Sequence, residues 1–449
     1  MHILVVLSVF CFFSLSYQNG TTPEQIHIAY GAYPSEMVLT WNTRQNTNVS
    51  TVQYGLKAPN TPVKGSMVML GGPFGILQDI QFVHKVKLTG LKPGARYVYR
   101  CGSPSNWSRV YNFTTMQDGT NWSPRLAIYG DMGFKNAKSM PFLLKEMEKG
   151  DFDAVLHVGD MAYDMADNRG RTGDAFMNLI QPLAAKIPYM TCVGNHEWHY
   201  NFTNYKTRFA GIGGGKGDGE GFFYSFDIGP AHIISLSTEF YFYIMYGIEQ
   251  VGKQYAWLEK DLAEANKPEN RAKRPWIITM GHRPMYCSND AAQLCEYQET
   301  PVRVGVPYLH LYGMEPLFKK YGVDLAIWAH EHSYERLWPV YDRKVMNGSK
   351  EAPYTNPKAP VHIITGSAGC IEKIDPFVGP FPEWSAFRLS DYGYTRMKIR
   401  NATHLDLEQF SVDKGPNGAI VDKFTIIKDK HGPYTDDEDE TLRWRQYKP

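Results

Sequence analysis

The sequence has no excess of charge of either sign. Its 449 residues include 47 lysines and arginines against 46 aspartates and glutamates, which gives a formal net charge of +1 at pH 7. A protein whose main partner is nucleic acid or an anionic membrane carries a basic surplus. The balance therefore excludes nucleic acid and membrane as main partners, and any selectivity for charged ligands has to be local.

The sequence also lacks an apolar run long enough to span a bilayer, which needs about 20 residues. The run at residues 3–15 is instead the length of the apolar core of a secretory signal, about 7 to 15 residues. We assign residues 1–20 to a signal peptide cleaved between Ser16 and Gly20, the alternative being a buried N-terminal strand. No second long apolar segment follows. We expect a soluble protein that is secreted or enters the lumen of the secretory or lysosomal system.

The mature chain does not contain an even number of cysteines. Cys11 lies in the signal segment, and the remaining cysteines are odd in number, so they cannot all pair internally. Cys287 and Cys295 enclose a short polar loop and are the pair predicted to form a disulfide. No partner can be assigned to the other three, Cys101, Cys192 and Cys370.

Sequons of the form Asn-X-Ser/Thr occur along the whole chain. Each is weak alone, because the pattern is short, but together they support export and an exposed position for each asparagine. The predicted glycosylation sites are Asn48, Asn106, Asn112, Asn121, Asn201, Asn347 and Asn401.

The chain has no internal repeat and is longer than the usual domain of about 100 to 200 residues. Residues 22–116 contain short strands such as Met37–Trp41 between glycine and proline turns, which predicts an all-β sandwich similar to a fibronectin type III domain. Residues 124–430 alternate apolar strands with helical segments such as Gln254–Ala265, which predicts an α/β domain that includes the C-terminal strands. Residues 431–449 are predicted to be a solvated acidic tail.

Side chains able to bind metal follow five predicted strands of this second domain. Singly, an aspartate or asparagine after a strand is commonly a turn former or helix cap, and a lone histidine is commonly packed or exposed. Five such residues at strand ends, where α/β domains build their sites, predict a shared site. The strands Leu126–Tyr129, Ala154–Val158, Tyr189–Val193, Trp276–Met280 and Val323–Trp328 are followed by Asp131, Asp160, Asn195, His282 and His330.

The same loops carry three more candidates. Tyr163 comes three residues after Asp160, so one helical turn would place both on one side. His330 and His332 are two residues apart, close enough to serve adjacent ions. His196, directly after the asparagine of the third loop, is left free to meet a substrate.

These segments resemble the five ordered motifs of the metallophosphoesterase superfamily, and Tyr163 points to the purple acid phosphatases in particular. The motifs are Gly130-Asp131-Met-Gly133, Gly159-Asp160-Met-Ala-Tyr163, Gly194-Asn195-His196-Glu197, Gly281-His282-Arg-Pro and Ala329-His330-Glu-His332. The resemblance covers nearly the whole mature chain, including the first sandwich. It implies that the α/β domain has the metallophosphoesterase fold, a β-sandwich flanked by helices.

The resemblance implies a centre of two metal ions bridged by Asp160. Phenolate and carboxylate oxygens favour Fe³⁺, whereas imidazole with an amide suits Zn²⁺, Fe²⁺ or Mn²⁺. The implied ferric ligands are Asp131, Asp160, Tyr163 and His332, and the implied ligands of the divalent ion are Asp160, Asn195, His282 and His330.

The implied activity is hydrolysis of small-molecule phosphate monoesters by attack of a metal-bound hydroxide on phosphorus. His196 is the predicted proton donor to the leaving group, and Glu197 is expected to orient it; the alternative for His196 is a structural hydrogen bond to a ligand. Many family members carry a further histidine after the fourth motif, but Cys287–Val302 contains none. Tyr297 or Gln298 is expected to fill that space.

Two other functions stay open at this point, as does the oligomeric state. A phosphodiesterase or nucleotide pyrophosphatase of the same fold would need room for a second substituent on phosphorus. A non-catalytic secreted binding protein would keep the sandwich and a vestigial metal site. The intact set of ligands argues against the second alternative.

Overall fold

The structure is a computed structural model that describes residues 20–72, 77–289, 295 and 299–434. The predicted signal segment before Gly20, the pair Tyr297 and Gln298, and the acidic run 436–440 lie outside the described residues. In the part of the chain that is described, no helix combines the length and the apolar character needed to cross a membrane.

The N-terminal part consists of two antiparallel sheets, which confirms the predicted sandwich. Its strands are β1 (Glu24–Tyr30), β2 (Met37–Thr43), β3 (Thr51–Gly55), β4 (Thr61–Lys64), β5 (Ser66–Gly72), β6 (Gln78–Leu88), β7 (Arg96–Ser103), β8 (Asn106–Trp107) and β9 (Tyr111–Thr114). The first sheet has the order β1-β2-β6-β5, and the second has the order β4-β3-β7-β8, with β9 pairing with β7. Burial alternates along β7, where Tyr97, Tyr99 and Cys101 face the core.

Among the described residues, the rest of the chain forms two larger sheets and two short two-stranded ones. Its strands are β10 (Arg125–Tyr129), β11 (Ala154–Val158), β12 (Tyr189–Cys192), β13 (Tyr224–Ile228), β14 (Ala231–Ser235), β15 (Trp276–Met280), β16 (Gly305–Val306), β17 (Leu311–Tyr312), β18 (Leu325–Trp328), β19 (Tyr334–Leu337), β20 (Val340–Tyr341), β21 (Lys344–Val345), β22 (Val361–Thr365), β23 (Ser385–Leu389), β24 (Gly393–Ile399), β25 (His404–Ser411) and β26 (Ala419–Ile427). One sheet has the order β12-β11-β10-β24-β25-β26, and the other has the order β13-β14-β15-β18-β22-β19-β23. The strands β24 to β26 thus complete the sheet that begins with β10.

Helices connect and cover these strands, as an α/β arrangement requires. The α-helices are α1 (Met140–Lys149), α2 (Arg171–Ala184), α3 (His199–Phe209), α4 (Glu249–Ala265), α5 (Pro268–Lys273), α6 (Pro301–Val304) and α7 (Glu315–Tyr321). Short 3₁₀ helices occupy Asp167–Gly170, Asn195–Glu197, Ile212–Gly215, Glu239–Tyr241 and Ile244–Tyr246.

The strands that precede the predicted site are buried on both faces. All side chains of β11, β12, β15 and β18 are buried, and so are those of β10 after its first residue. Strands covered on both faces read as continuous apolar runs, which is why the sequence marks them clearly. Within the sheets β10 pairs in parallel with β11 and β11 with β12, while β15 pairs in parallel with β18. Their carboxyl ends therefore meet at common edges.

Helix α4 begins at Glu249, five residues before the predicted start at Gln254. Its buried stripe consists of Val251, Gln254, Leu258 and Leu262, which follow the three- to four-residue spacing of a helix face. The first turn was missed because a glycine and polar residues obscure that spacing.

A buried ion cluster joins the N-terminal sandwich to the larger part. The carboxylate of Asp174 on α2 accepts hydrogen bonds from Gln25 at 2.9 Å, Arg44 at 2.7 Å and Arg208 at 3.0 Å. Gln25 lies on β1 and Arg44 directly follows β2, so one carboxylate ties two strands of the sandwich to α2 and α3. Buried charges of this kind hold their neighbours in fixed positions because an unpaired charge there is costly.

The predicted disulfide is present between Cys287 and Cys295, whose Cα atoms are 5.2 Å apart. The sulfur of Cys295 lies 3.5 Å from a carboxylate oxygen of Glu331, so the bridged loop contacts the segment that carries the last two candidate histidines. The other described cysteines are buried without a disulfide, and they are Cys101, Cys192 and Cys370.

Candidate metal centre

The ends of five strands from two different sheets converge on one buried cluster. Strands β10, β11 and β12 of one sheet lead into the loops of Asp131, Asp160 and Asn195, and strands β15 and β18 of the other lead into those of His282 and His330. Tyr163 and His332 lie in the same loops. Five of the seven side chains belong to buried residues, while Asn195 and His330 are partly exposed.

One half of the cluster is centred on His282. Its Nε2 lies 3.1 Å from Oδ2 of Asp160 and 3.0 Å from Oδ1 of Asn195. The opposite nitrogen, Nδ1, is 2.9 Å from the carbonyl oxygen of Val158, a contact that fixes the ring and points Nε2 at the cluster. Asp160, His282 and His330 each offer a donor atom within 4.8 Å of the others. This donor set fits one cation of the zinc or ferrous type.

The other half of the cluster is centred on Tyr163. Its hydroxyl oxygen is 2.8 Å from Nε2 of His332 and donates to Oδ1 of Asp131 at 3.4 Å. The same His332 nitrogen is 3.4 Å from Oδ1 of Asp131. The second oxygen of Asp131 accepts the backbone N–H of His330 at 3.1 Å, which joins the two halves. Two oxygen donors and an imidazole within hydrogen-bond distance of each other fit a hard cation.

The electrostatics of this half favour a cation. Burial raises the pKa of Tyr163 well above its usual value, and the carboxylates of Asp131 and Asp160 raise it further. Burial alone lowers the pKa of His332, but Asp131 and Cys370 raise it to about 12. A buried phenol next to two carboxylates gives up its proton only when a positive charge lies beside its oxygen.

Four of the cluster residues have a left-handed backbone conformation, which residues other than glycine rarely adopt. Their φ angles are +57° at Asp131, +50° at Asp160, +59° at Tyr163 and +71° at His330. Each costs about 1 to 2 kcal/mol, and such strain is concentrated at functional sites. The sharp turns aim the side chains inward directly after the strands end.

Two glycines are required for the loops to approach each other. A Cβ on Gly159 would lie 2.5 Å from Nδ1 of His282, and a Cβ on Gly194 would lie 2.2 Å from Oδ1 of Asp160. Both contacts are too short for real atoms, so any side chain at these positions would push the cluster apart.

Glu197 does not orient the His196 imidazole as expected. Its buried carboxylate accepts the backbone N–H groups of Asp160 at 3.0 Å, Met161 at 2.9 Å and Gly194 at 2.9 Å. It therefore fixes the backbone of the second and third motifs against each other. Sequence reasoning assigned the wrong partner because adjacency in the chain gave no information about this contact between loops.

The His196 side chain lies at the rim of the cluster and is 17% exposed. Its Nδ1 is 3.2 Å from Asp164, while Nε2 is 3.6 Å from Glu372 and 3.9 Å from Asp160. Burial alone lowers the pKa of His196, but Asp160, Asp164 and Glu372 raise it to about 11. These carboxylates favour the protonated imidazole, the form that can donate a proton at the rim.

Three residues around the cluster were not predicted from the sequence. Asp164 and Glu372 flank His196, and Arg283 contacts His330. Arg283 directly follows His282, so its place in the fourth motif was a usable signal. Glu372 lies forty residues beyond the last motif and had no local signal.

The two-sheet fold, with carboxylate, phenol, amide and imidazole groups at its strand ends, defines a metallophosphoesterase. The family models that match are "Purple acid Phosphatase, N-terminal domain" at residues 23–115, "Calcineurin-like phosphoesterase" at residues 124–334, and "Iron/zinc purple acid phosphatase-like protein C" at residues 359–423. The chain belongs to the purple acid phosphatase family, and it is therefore a phosphoesterase.

Known proteins resemble the chain along most of its length. It is 51% identical to acid phosphatase type 7 of Danio rerio, covering 92% of this chain and 93% of the relative. It is 52% identical to acid phosphatase type 7 of Homo sapiens, covering 94% and 95%. The solved purple acid phosphatase from yellow lupin (Lupinus luteus) seeds superposes with a TM-score of 0.74 at 26% identity, covering 91% of this chain and 75% of that one.

Proposed function

We propose that this protein is a secreted acid phosphatase that hydrolyses phosphate monoesters at a centre of two metal ions. The observation that carries the proposal is the convergence of seven donor side chains from two sheets on one buried cluster. The relatives named acid phosphatase type 7, which share about half of the residues, support the activity.

The donor set fits two different cations. The phenol and carboxylate side would hold Fe³⁺, and the imidazole and amide side would hold Zn²⁺, Fe²⁺ or Mn²⁺, with Asp160 between them. The family description "iron/zinc" agrees with this division. The proposed ligands are Asp131, Asp160, Tyr163 and His332 on the ferric side, and Asp160, Asn195, His282 and His330 on the other.

When bound, the two ions supply Lewis-acid chemistry, which activates water and stabilises charge on phosphate oxygens. The chain's own residues orient the ligands and protonate the leaving group. His282 is held by the Val158 carbonyl, Glu197 fixes two loops, and His196 carries a proton at the rim for the leaving oxygen. The carboxylates of Asp164 and Glu372 hold that proton ready near the cluster.

Replacing Tyr163 by phenylalanine is expected to remove the visible absorption of the iron-loaded protein. A phenolate bound to Fe³⁺ absorbs visible light, whereas phenylalanine leaves the ring in place without its oxygen. The measurement is a visible spectrum with iron content determined on the same sample. Tyr129→Phe is the matched control. Tyr129 ends strand β10, which leads to the site, and its buried hydroxyl donates to the hydroxyl of Tyr189 at 3.0 Å. A colourless wild-type protein that contains iron, or a coloured Tyr163→Phe variant, would contradict the assignment.

We further propose export and glycosylation of the chain. None of the sequon asparagines is buried: Asn48, Asn121 and Asn401 are exposed, and Asn106, Asn112, Asn201 and Asn347 are partly exposed. Expression in animal cells is expected to deliver the protein to the medium, with its N-terminus between residues 17 and 21 and its mass reduced by an N-glycanase. Sequencing the N-terminus and comparing masses checks both. Retention in the cytosol with Met1 intact would contradict the proposal.

A further inference from the structure

Arg283 lies next to the cluster at the end of β15, and its position is well fixed. Its backbone N–H donates to the hydroxyl of Thr238 at 2.9 Å, and its guanidinium lies 4.4 Å from the ring centre of Phe242. The side chain is 15% exposed. A permanent positive charge is therefore held at the boundary between the buried cluster and solvent.

The guanidinium divides its donors between two partners. Nε donates to the two carboxylate oxygens of Glu239, at 3.2 and 3.1 Å, and Glu239 is fully buried. Nη1 lies 2.9 Å from Nε2 of His330, one of the candidate ligands. Nη1 thus reaches the cluster, while Nε is held by the carboxylate of Glu239.

This arrangement differs from that of an arginine that serves structure alone. Arg336 forms a two-pronged pair in which Nε and Nη2 bind separate oxygens of Asp422 at 2.7 and 3.0 Å, while Nη1 donates to Tyr354. The carboxylate of Glu239 occupies only Nε of Arg283. Nη1 reaches the cluster at His330, and the Nη groups of a guanidinium form the fork that matches the oxygens of a phosphate.

We propose that Arg283 contacts the phosphate group directly, donating from its Nη groups to a non-bridging oxygen of the substrate and of the product. The inference rests on the proposed function, because phosphate is the ligand that a phosphoesterase site must hold. The guanidinium of Arg283, which contacts His330, supplies a positive charge for the phosphate oxygen. Glu239 holds Arg283 in place and is therefore a positioning residue.

The test is the binding of inorganic phosphate to the metal-loaded protein. In Arg283→Gln, the dissociation constant from calorimetry and the inhibition constant in the phosphatase assay are both expected to rise about 10- to 100-fold, the range of a lost charged hydrogen bond. Arg283→Lys is expected to fall between Arg283→Gln and wild type, because a lysine keeps the charge but loses the fork. Metal content and visible absorption should match those of wild type.

Arg336→Gln is the matched control, since it removes a half-buried arginine with a carboxylate partner and is expected to leave phosphate binding unchanged. An Arg283→Gln variant that keeps both metals and binds phosphate within twofold of wild type would overturn the inference. Loss of metal from both Arg283 variants would also overturn it, since Arg283 would then support the ligands. Wild-type protein without metal or hydrolysis would instead contradict the proposed function.

Discussion

Replacing Asp160 by asparagine is expected to lower kcat/KM for an aryl phosphate by at least about 10³-fold. The carboxylate is 1% exposed, it lies 3.1 Å from His282, and it is the proposed bridge between the two ions. Burial alone would raise the pKa of Asp160, but His282 and His196 outweigh it and hold the pKa well below its usual value, so the group is charged. Removing a bridging charge costs several kcal/mol of stabilisation, and each 1.36 kcal/mol is a factor of ten in rate.

The substitution is chosen because it changes charge with little change of shape. In the wild-type protein, the backbone N–H of His196 donates to Oδ1 of Asp160 at 2.9 Å. An asparagine keeps an oxygen that can accept this hydrogen bond, so the loop should stay folded. Metal analysis is expected to find less of both ions in Asp160→Asn. Asp422→Asn, a buried carboxylate paired with Arg336, serves as the matched control and should keep full activity. A variant that retains more than a tenth of the wild-type kcat/KM with both metals bound would show that Asp160 is not the bridge.

The positions of the candidate ligands could be predicted because strand and site are coupled in this fold. A strand covered on both faces reads as an apolar run, and the first polar residue after it marks the edge of the sheet. Asp131, Asp160 and His282 each follow such a run after a single glycine. The sequence could not predict which strands share a sheet. Strands β10 and β15 belong to different sheets, yet both read as the same kind of apolar run.

The surroundings of the ligands were harder to predict, because they depend on contacts between loops. Glu197 was assigned to its neighbour in sequence, yet its carboxylate binds the backbone of the second motif. Glu372 reaches His196 from a segment without any motif. Local patterns give side-chain types at turns, but the direction of a side chain in a loop depends on dihedral angles such as the +50° of φ at Asp160.

The strain in these turns also explains why the site needs the whole fold. Four left-handed residues together cost several kcal/mol, which an isolated loop would relieve by rearranging. Buried strands on one side and the Glu197 carboxylate on the other hold these loops in place. The fold thereby holds the ligand loops in fixed positions, which lowers the cost of binding a cation.

Replacing His196 by alanine is expected to separate two kinds of substrate. An alkyl phosphate releases a poor leaving group that needs a proton, and its kcat should fall about 10²- to 10⁴-fold, the usual contribution of general acid catalysis. A nitrophenyl phosphate releases a stable anion, so its kcat should fall much less. The backbone N–H of His196 still donates to Asp160 in the variant, which keeps the loop and the bridge in place.

The control for this prediction is another imidazole held between two carboxylates. His232 lies 2.7 Å from Asp227 and 2.8 Å from Asp261, and although burial lowers its pKa, these partners raise it to about 9. His232→Ala should therefore reproduce the loss of a partly buried histidine held between two carboxylates, without any selective effect on alkyl phosphates. Equal losses for both substrates in His196→Ala would mean that the imidazole only supports the loop. A loss confined to the alkyl substrate would identify proton donation as its role, because structural damage does not distinguish between leaving groups.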